Sequence, residues 1–454
     1  MFGFLSGSMA GASQRFFSFE IGRGDFEQLK KTFRLSIVIY VLIALIVLLL
    51  SETIGLWFVY NKLTIPLERV NAAGLLYQCA IISFLFAIMT MPYTALILAH
   101  EDMNVYAYIS IIETVLKLII VFLLRVILFD KLSLYGILLC IVSFSSMVIN
   151  RIFCKIRYKE CIFRFYWNRE LFKEVTTYTG WYLFGVIVGV FKNQAINILL
   201  NQFFNSIMVA ARGIASSITS AIAGFSYNFC AAIRPQIVKT YASGNKTEMI
   251  QIIFWGTKGT YFLMYIFTLP LMLEMPTVLL LWLKKPPEYT VLFTRLMMLD
   301  VLINSISYSV DTAALATDKI KTYQSICSSI LLLNLPLSWV FLLIGTPVYF
   351  VQIIAIFLTI MVLIARILIV KKIIGFSFFN FLMYALIPIC IVSVSSAVPV
   401  LVICHIMEQN IFRLFLVVGI SIVSNSGSIY LFGLNKAERL KIKEIIKSKI
   451  IRRK

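Results

Sequence analysis

The chain has 454 residues, of which 60% are hydrophobic and only 14% charged, and its mean hydropathy is +0.92. That composition excludes a water-soluble globular protein and describes a polytopic membrane protein. The formal net charge of +20 needs no nucleic-acid partner, because lysines and arginines held in cytoplasmic connections account for a basic membrane protein.

In chain order, the first apolar stretch is Met1 to Ile21. It lacks the basic start of a signal peptide and reads as a membrane helix, with Gly3, Gly7 and Gly11 repeating at i+4 as a small-residue face for close helix approach. Apolar segments follow at 33–58, 70–98, 104–128, 132–153, 174–200, 205–233, 251–282, 289–316, 322–344, 348–370, 379–404 and 411–433. Each comes near or exceeds the ~20 residues that a helix needs to cross the hydrocarbon. With the first they make thirteen, and Pro270, Pro336 and Pro388 predict kinks inside spans. His100 and His405 fall in short connections and read as turn residues.

Basic residues orient the chain. Connections at 20–34, 151–173, 234–250, 317–322 and 366–378 and the tail 434–454 carry 28 lysines and arginines, against 6 in the others. The excess side is expected to be cytoplasmic, so the C-terminus is too. The end of the tail, KIKEIIKSKIIRRK, reads as an amphipathic surface segment or a solubilising end. No connection is long enough for an inserted soluble domain. There is no Gly-rich phosphate loop, no HExxH and no serine–histidine pairing, and the eight cysteines lie singly, so catalysis, a metal and a cofactor are not expected.

The polar signal is strongest in GWYLFGVIVGVFKNQAINILLN, residues 180–201. Asn193, Asn197 and Asn201 recur every fourth residue with Gln194 beside them, and Lys192 stands near the middle of the apolar run. An uncompensated cation at mid-bilayer costs between ~2.5 and ~17 kcal/mol, so the stripe faces other helices or water. It reads as a hydrated cationic path or as helix glue, since amides hydrogen-bond across membrane helices.

Further polar residues fit the same picture. Asp300, Asn304, Ser307 and Asp311 form one row, Glu113 and Lys117 are an i,i+4 pair, and Arg212 precedes the small face of Ser216, Ser220 and Gly224. Gln14 and Arg15 interrupt the first segment. Lys192, Arg212 and Arg15 are predicted to bind an anionic substrate with Gln14, Asn193, Gln194 and Asn197 beside them. For the three cations the alternative is snorkelling or an internal salt bridge with Asp300 or Asp311. Glu113, Asp300 and Asp311 are predicted as counter-ions or proton-coupling groups.

An internal repeat supplies organisation. LAHEDMNVYAYI (98–109) returns as LATDKIKTYQSI (315–326) at an offset of 217, with shorter echoes of 12–25 in 231–245 and of 52–58 in 276–283. An offset of six helices is even, so the copies share one orientation and relate by an axis along the membrane normal.

The stretches SGSMAGASQRFFSFEIGRGDFEQLKK, GWYLFGVIVGVFKNQAINILLN, AARGIASSI and RPQIVKTYASGN resemble the polysaccharide-transport branch of the multidrug/oligosaccharidyl-lipid/polysaccharide (MOP) exporter superfamily, the Wzx-type O-antigen flippases. The resemblance covers nearly the whole chain. It implies an all-α fold of two six-helix bundles in a V, related by a pseudo-twofold axis, with two further helices at the C-terminus. On that plan residues 1–155 are the N-terminal bundle, 156–173 a cytoplasmic linker, 174–372 the C-terminal bundle, 373–433 the extra helices and 434–454 the tail. Family members open with a helix that precedes Met1 here, so the first bundle is expected to be incomplete. The implied activity is translocation of undecaprenyl-diphosphate-linked oligosaccharide across the bacterial inner membrane by alternating access, for surface polysaccharide and O-antigen (lipopolysaccharide) assembly, with a polymerase and chain-length proteins as partners. A drug/cation antiporter of the same superfamily, or a non-transporting member of a polysaccharide assembly complex, are the alternatives.

Overall fold

The computed structural model describes residues 3–61, 69–126, 130–162, 164–436 and 438–440. Lys62 and the segment 441–454, for which an amphipathic surface role is expected, lie outside them. The described residues form thirteen helices: α1 Gly3–Arg23, α2 Phe26–Asn61, α3 Val70–Ala99, α4 Met103–Val126, α5 Lys131–Arg157, α6 Arg169–Phe203, α7 Ser206–Ala242, α8 Lys246–Leu283, α9 Thr290–Ala316, α10 Ile320–Leu343, α11 Phe350–Ile374, α12 Phe378–Ile406 and α13 Ile411–Gly433. All but α1 are long and apolar enough to span a bilayer, which makes twelve candidate spans in a multi-pass membrane protein.

Short polar side chains start many of these helices. Asp25, Asp130, Asn245 and Asn410 each accept a hydrogen bond from the backbone N–H three residues on, at 2.7 to 3.2 Å. The expected proline effects take three forms. Pro270 lies inside α8, Pro336 follows the break at Leu333 that divides α10, and Pro388 follows a π-helical turn, Leu382–Leu386, in α12. His405 stands in the last turn of α12 rather than in a connection.

The repeat is visible in helix register. Ala99 ends α3 and Met103 opens α4; the residues 217 further on, Ala316 and Ile320, end α9 and open α10.

The chain divides into two compact units, Met1–Leu183 with Val238–Gly244, and Phe184–Ile237 with Asn245–Lys454. In the first, α3 packs against α5, α1 and α2, and the core near one end is Phe17, Leu29, Phe33, Ala95, Leu96 and Cys154. In the second, α9 packs against α8 and α11, while α12 and α13 pair and lean on α8. Two ion pairs, the first fully buried and the second partly so, hold this C-terminal part to α8. Arg413 Nε lies 2.8 Å from Glu274 Oε1, and Lys258 Nζ lies 2.7 Å from Glu438 Oε2.

The small-residue face expected on α1 does not make a close approach at Gly7, where an added Cβ would meet nothing within 4 Å. The tight contact is at Gly22. A Cβ there would stand 2.6 Å from Lys239 Cα, so only glycine lets the last turn of α7 lie against α1.

Candidate functional site

The second unit contains a cavity of about 290 Å³ where five helices converge, α10 contributing Leu331. From α6 come Gly189, Lys192 and Asn193; from α7 come Ser216, Thr219 and Ser220. Asp300 and Asn304 line it from α9, and Thr359 and Arg366 from α11. Helical periodicity explains the convergence, because the small hydroxyl face of α7 leaves room beside the polar stripes of α6 and α9.

The charges in this cavity differ in how they are held. Asp300 accepts a 2.6 Å hydrogen bond from Thr359 Oγ1. Arg366 donates to Ser307 Oγ at 2.6 Å and lies 3.5 Å from Asp311 Oδ1, while Asp311 also accepts from the Tyr323 hydroxyl. The ammonium of Lys192 has no hydrogen-bond or ion-pair partner among the described residues. It is the cation that this wall offers to a ligand.

Arg212, expected beside Lys192, is 4% exposed and lies behind the wall rather than on it. Its Nη1 donates to Asn197 Oδ1 at 2.5 Å and to the Asn193 carbonyl at 3.3 Å, and its Nη2 donates to Asn193 Oδ1 at 3.3 Å. Gln194 accepts a 3.4 Å bond from the Asn197 amide. Asn193 therefore has two tasks, lining the cavity and holding Arg212, and the two sequence readings of the stripe apply to different atoms of one residue.

Gln14 and Arg15 belong to the first unit. Both are buried, and the Arg15 guanidinium lies 4.8, 4.9 and 5.1 Å from the rings of Phe16, Phe19 and Tyr178. An aromatic cage of this kind stabilises a cation through the ring quadrupoles. Glu113 and Lys117 pair at 2.6 Å on α4, and Ser146 donates to the second Glu113 oxygen at 3.2 Å.

Arg366, Thr359 and Thr219 are polar lining residues that sequence reasoning missed. Arg366 was expected in the 366–378 connection, but α11 continues to Ile374 and carries it as a helical residue. The available signal was the spacing of Thr359 and Arg366, seven apart on one face of an otherwise apolar helix.

At one end of the first unit a second polar cluster forms outside the spans. His100 stacks on Tyr158 with centroids 4.3 Å apart and shares a hydrogen bond with Glu160; Tyr158 donates to Asp102 at 2.5 Å, and Lys239 Nζ lies 2.6 Å from Glu101 Oε1. His100 is thus a packed member of a network. Burial alone would raise the Glu160 carboxyl, but the His100 hydrogen bond, a backbone N–H and the charges of His100 and Lys30 hold it below the ordinary carboxylate value.

Comparison with solved structures decides the fold. A multidrug resistance MATE family transporter of the MOP superfamily, in an outward-facing conformation, superposes with a TM-score of 0.72 over 82% of this chain and 84% of its own, at 13% identity. The MATE transporter ClbM in complex with Rb+ gives 0.70 over 83% and 85% at 12% identity, and the Vibrio cholerae MATE transporter VcmN in its bent form 0.63 over 84% and 86% at 16%. The chain has the MATE fold. No family model matches the sequence, and no curated protein matches it. The all-α membrane architecture expected from the sequence is therefore present, and at these identities the likeness speaks for the fold alone.

Proposed function

We propose that the protein is a transporter working by alternating access, and that its cargo is an undecaprenyl-diphosphate-linked oligosaccharide moved across the bacterial inner membrane. The observation that carries this reading is the Lys192 ammonium, without a partner among the described residues, on the wall of a cavity whose polar lining also includes Asn193, Asn304, Ser216, Ser220, Asp300 and Arg366. A diphosphate supplies the missing anion, and Asn193, Asn304 and the serines supply hydrogen-bond partners for sugar hydroxyls. Arg212 adds positive potential from behind the wall, and Arg366, on the wall, is held by Ser307 and Asp311. The fold supports transport, since the solved structures that share it are transporters.

Complementation of a flippase-null strain, scored by surface polysaccharide, tests the reading. Lys192→Gln should abolish export at unchanged protein level, and Lys192→Arg should keep part of it. Export at the wild-type level by the glutamine variant would sink the proposal. A second reading, export of a cationic drug, draws on Asp300, whose carboxylate lines the same cavity and accepts a hydrogen bond from Thr359. In that case Asp300→Asn abolishes efflux of a cationic dye and Lys192→Gln leaves it intact.

The bias of 28 basic residues against 6 supports a C-terminus on the cytoplasmic side. A reporter cysteine at Lys436 should resist an impermeant maleimide in intact cells and react after permeabilisation.

A further inference from the structure

The first unit holds a cavity of its own, about 220 Å³, of different chemistry from the one in the second unit. Ile37 and Val41 from α2, Met89 and Pro92 from α3 and Met147 from α5 supply its apolar wall, and Arg151 stands at one end of it. We infer that this is a binding site for one hydrocarbon chain carrying an anionic head, with the chain in the cavity and the phosphate on Arg151.

The depth of each residue sets the polarity of the site. One end of the unit is marked by contacts that join the start of α2, the end of α3 and the end of α5: Phe33 against Tyr93 at 5.9 Å, Cys154 Sγ to the Tyr93 carbonyl at 3.6 Å, and Arg34 Nε to the Ile162 carbonyl at 3.2 Å. Measured from that end, Arg151 lies six residues, roughly 9 Å, inside α5, and Ile37 lies eleven residues, roughly 17 Å, inside α2. The cation is the shallow member and the aliphatic side chains the deep ones. A lipid in one leaflet has the same order, headgroup outside and chain within.

Charge completes the argument. Arg151 is exposed, and its guanidinium makes no hydrogen bond or ion pair among the described residues. Lys155, one turn further on the same face, is also exposed and unpaired. Three of the acids at this end are paired: Glu160 with His100, Asp102 with Tyr158 and Glu101 with Lys239. An anion arriving at Arg151 therefore meets two cations, Arg151 and Lys155. Pro92 contributes to the space, because without an N–H it cannot bond the Ile88 carbonyl, and α3 is loosened beside the cavity. A hydrocarbon chain matches the apolar wall of this cavity, because it gains dispersion contacts with those side chains.

Two sources share this chemistry, an anionic phospholipid of the bilayer and a prenyl phosphate. The site is independent of the cargo assigned to the cavity in the second unit. Native mass spectrometry of the full-length protein in detergent, with phosphatidylglycerol, phosphatidylcholine or undecaprenyl phosphate added, tests it. The wild type should retain both anions in preference to phosphatidylcholine. Arg151→Gln should weaken their retention roughly ten- to hundredfold, the loss of a charge-assisted contact, and Arg151→Lys should keep part of it. Val41→Trp, which fills the cavity while leaving the cation, should also lose them. Stronger retention of undecaprenyl phosphate than of phosphatidylglycerol identifies a prenyl ligand, and the reverse order a bilayer lipid. Equal retention of phosphatidylcholine, or wild-type retention by Arg151→Gln, would overturn the inference.

Discussion

The guanidinium of Arg212 rests on two asparagines of the neighbouring helix, 2.5 Å from Asn197 Oδ1 and 3.3 Å from Asn193 Oδ1. Neutral amides solvate a buried cation without cancelling its charge, and the positive potential behind the Lys192 wall survives. Asn197→Asp separates the two effects. A carboxylate at that position pairs with Arg212, so thermal stability of the purified protein should rise while export of an anionic cargo falls. Asn197→Leu should instead cost about 1.5–3 kcal/mol, because a charged donor loses its shortest acceptor. A lower melting temperature for the aspartate variant would show that the site does not lack negative charge.

The pair Arg413–Glu274 makes the opposite use of burial. Glu274 is fully buried, its oxygens lie 2.8 and 3.3 Å from Arg413 nitrogens, and Thr277 donates to it at 3.2 Å. Arg413 also donates to the Met407 carbonyl at 2.7 Å and so closes the turn between α12 and α13. Arg413→Ala should destabilise the second unit by about 3–5 kcal/mol, since it strands a buried carboxylate. The double variant Glu274→Gln, Arg413→Met should recover most of that loss in a detergent melting series, and a double variant no better than the single one would assign the cost to packing.

Glu160 gives a pH dependence with a definite sign. Its carboxyl titrates below the ordinary 4.5 in the folded protein despite its burial, because His100 and a backbone N–H bond the charged form. A depressed folded value means stabilisation that is present above about pH 4.5 and lost as the pH falls through the folded value. Glu160→Gln should therefore melt at a lower temperature than the wild type at pH 7, and the two curves should converge toward pH 3. Parallel curves across that range would remove Glu160 as their cause.

Much of this architecture was legible because it is written in period and length. Apolar runs longer than a bilayer is thick located every candidate span, and the fourfold spacing of Asn193 and Asn197 and of Asp300 and Asn304 marked polar faces, of which Asn193, Asp300 and Asn304 line the cavity while Asn197 holds Arg212 behind it. Arg366 was not legible as a lining residue, since an arginine at the end of an apolar run looks the same whether the helix stops there or continues for two more turns. The His100–Glu160 cluster was hidden for another reason. Its partners are 60 residues apart, and no periodicity within a single helix encodes which turn meets which. On α1 the spacing suggested a close approach at Gly7, where none is found, and a close approach at Gly22 lies opposite a backbone that sequence spacing does not reveal.

That contact yields the last prediction. At Gly22 an added Cβ meets the Lys239 Cα at 2.6 Å, its carbonyl at 2.7 Å and the Ala242 Cβ at 3.0 Å, so backbone must move rather than a flexible side chain. Overpacking of this kind costs about 1–3 kcal/mol. The displaced turn carries Lys239, whose ammonium reaches Glu101 at 2.6 Å, and Glu101 is held at a φ of +66°, a conformation that an L-residue adopts at a cost. Gly22→Ala should therefore both lower the melting temperature and loosen the turn between α3 and α4, read as faster amide exchange at Glu101 and Asp102. Gly24→Ala serves as the control. Its φ of +75° makes it costly too, but no atom lies within 4 Å of its added Cβ, so exchange at Glu101 should stay at the wild-type rate. Equal loosening by both substitutions would trace the effect to the α1–α2 turn and clear the Gly22–Lys239 contact of the role assigned to it.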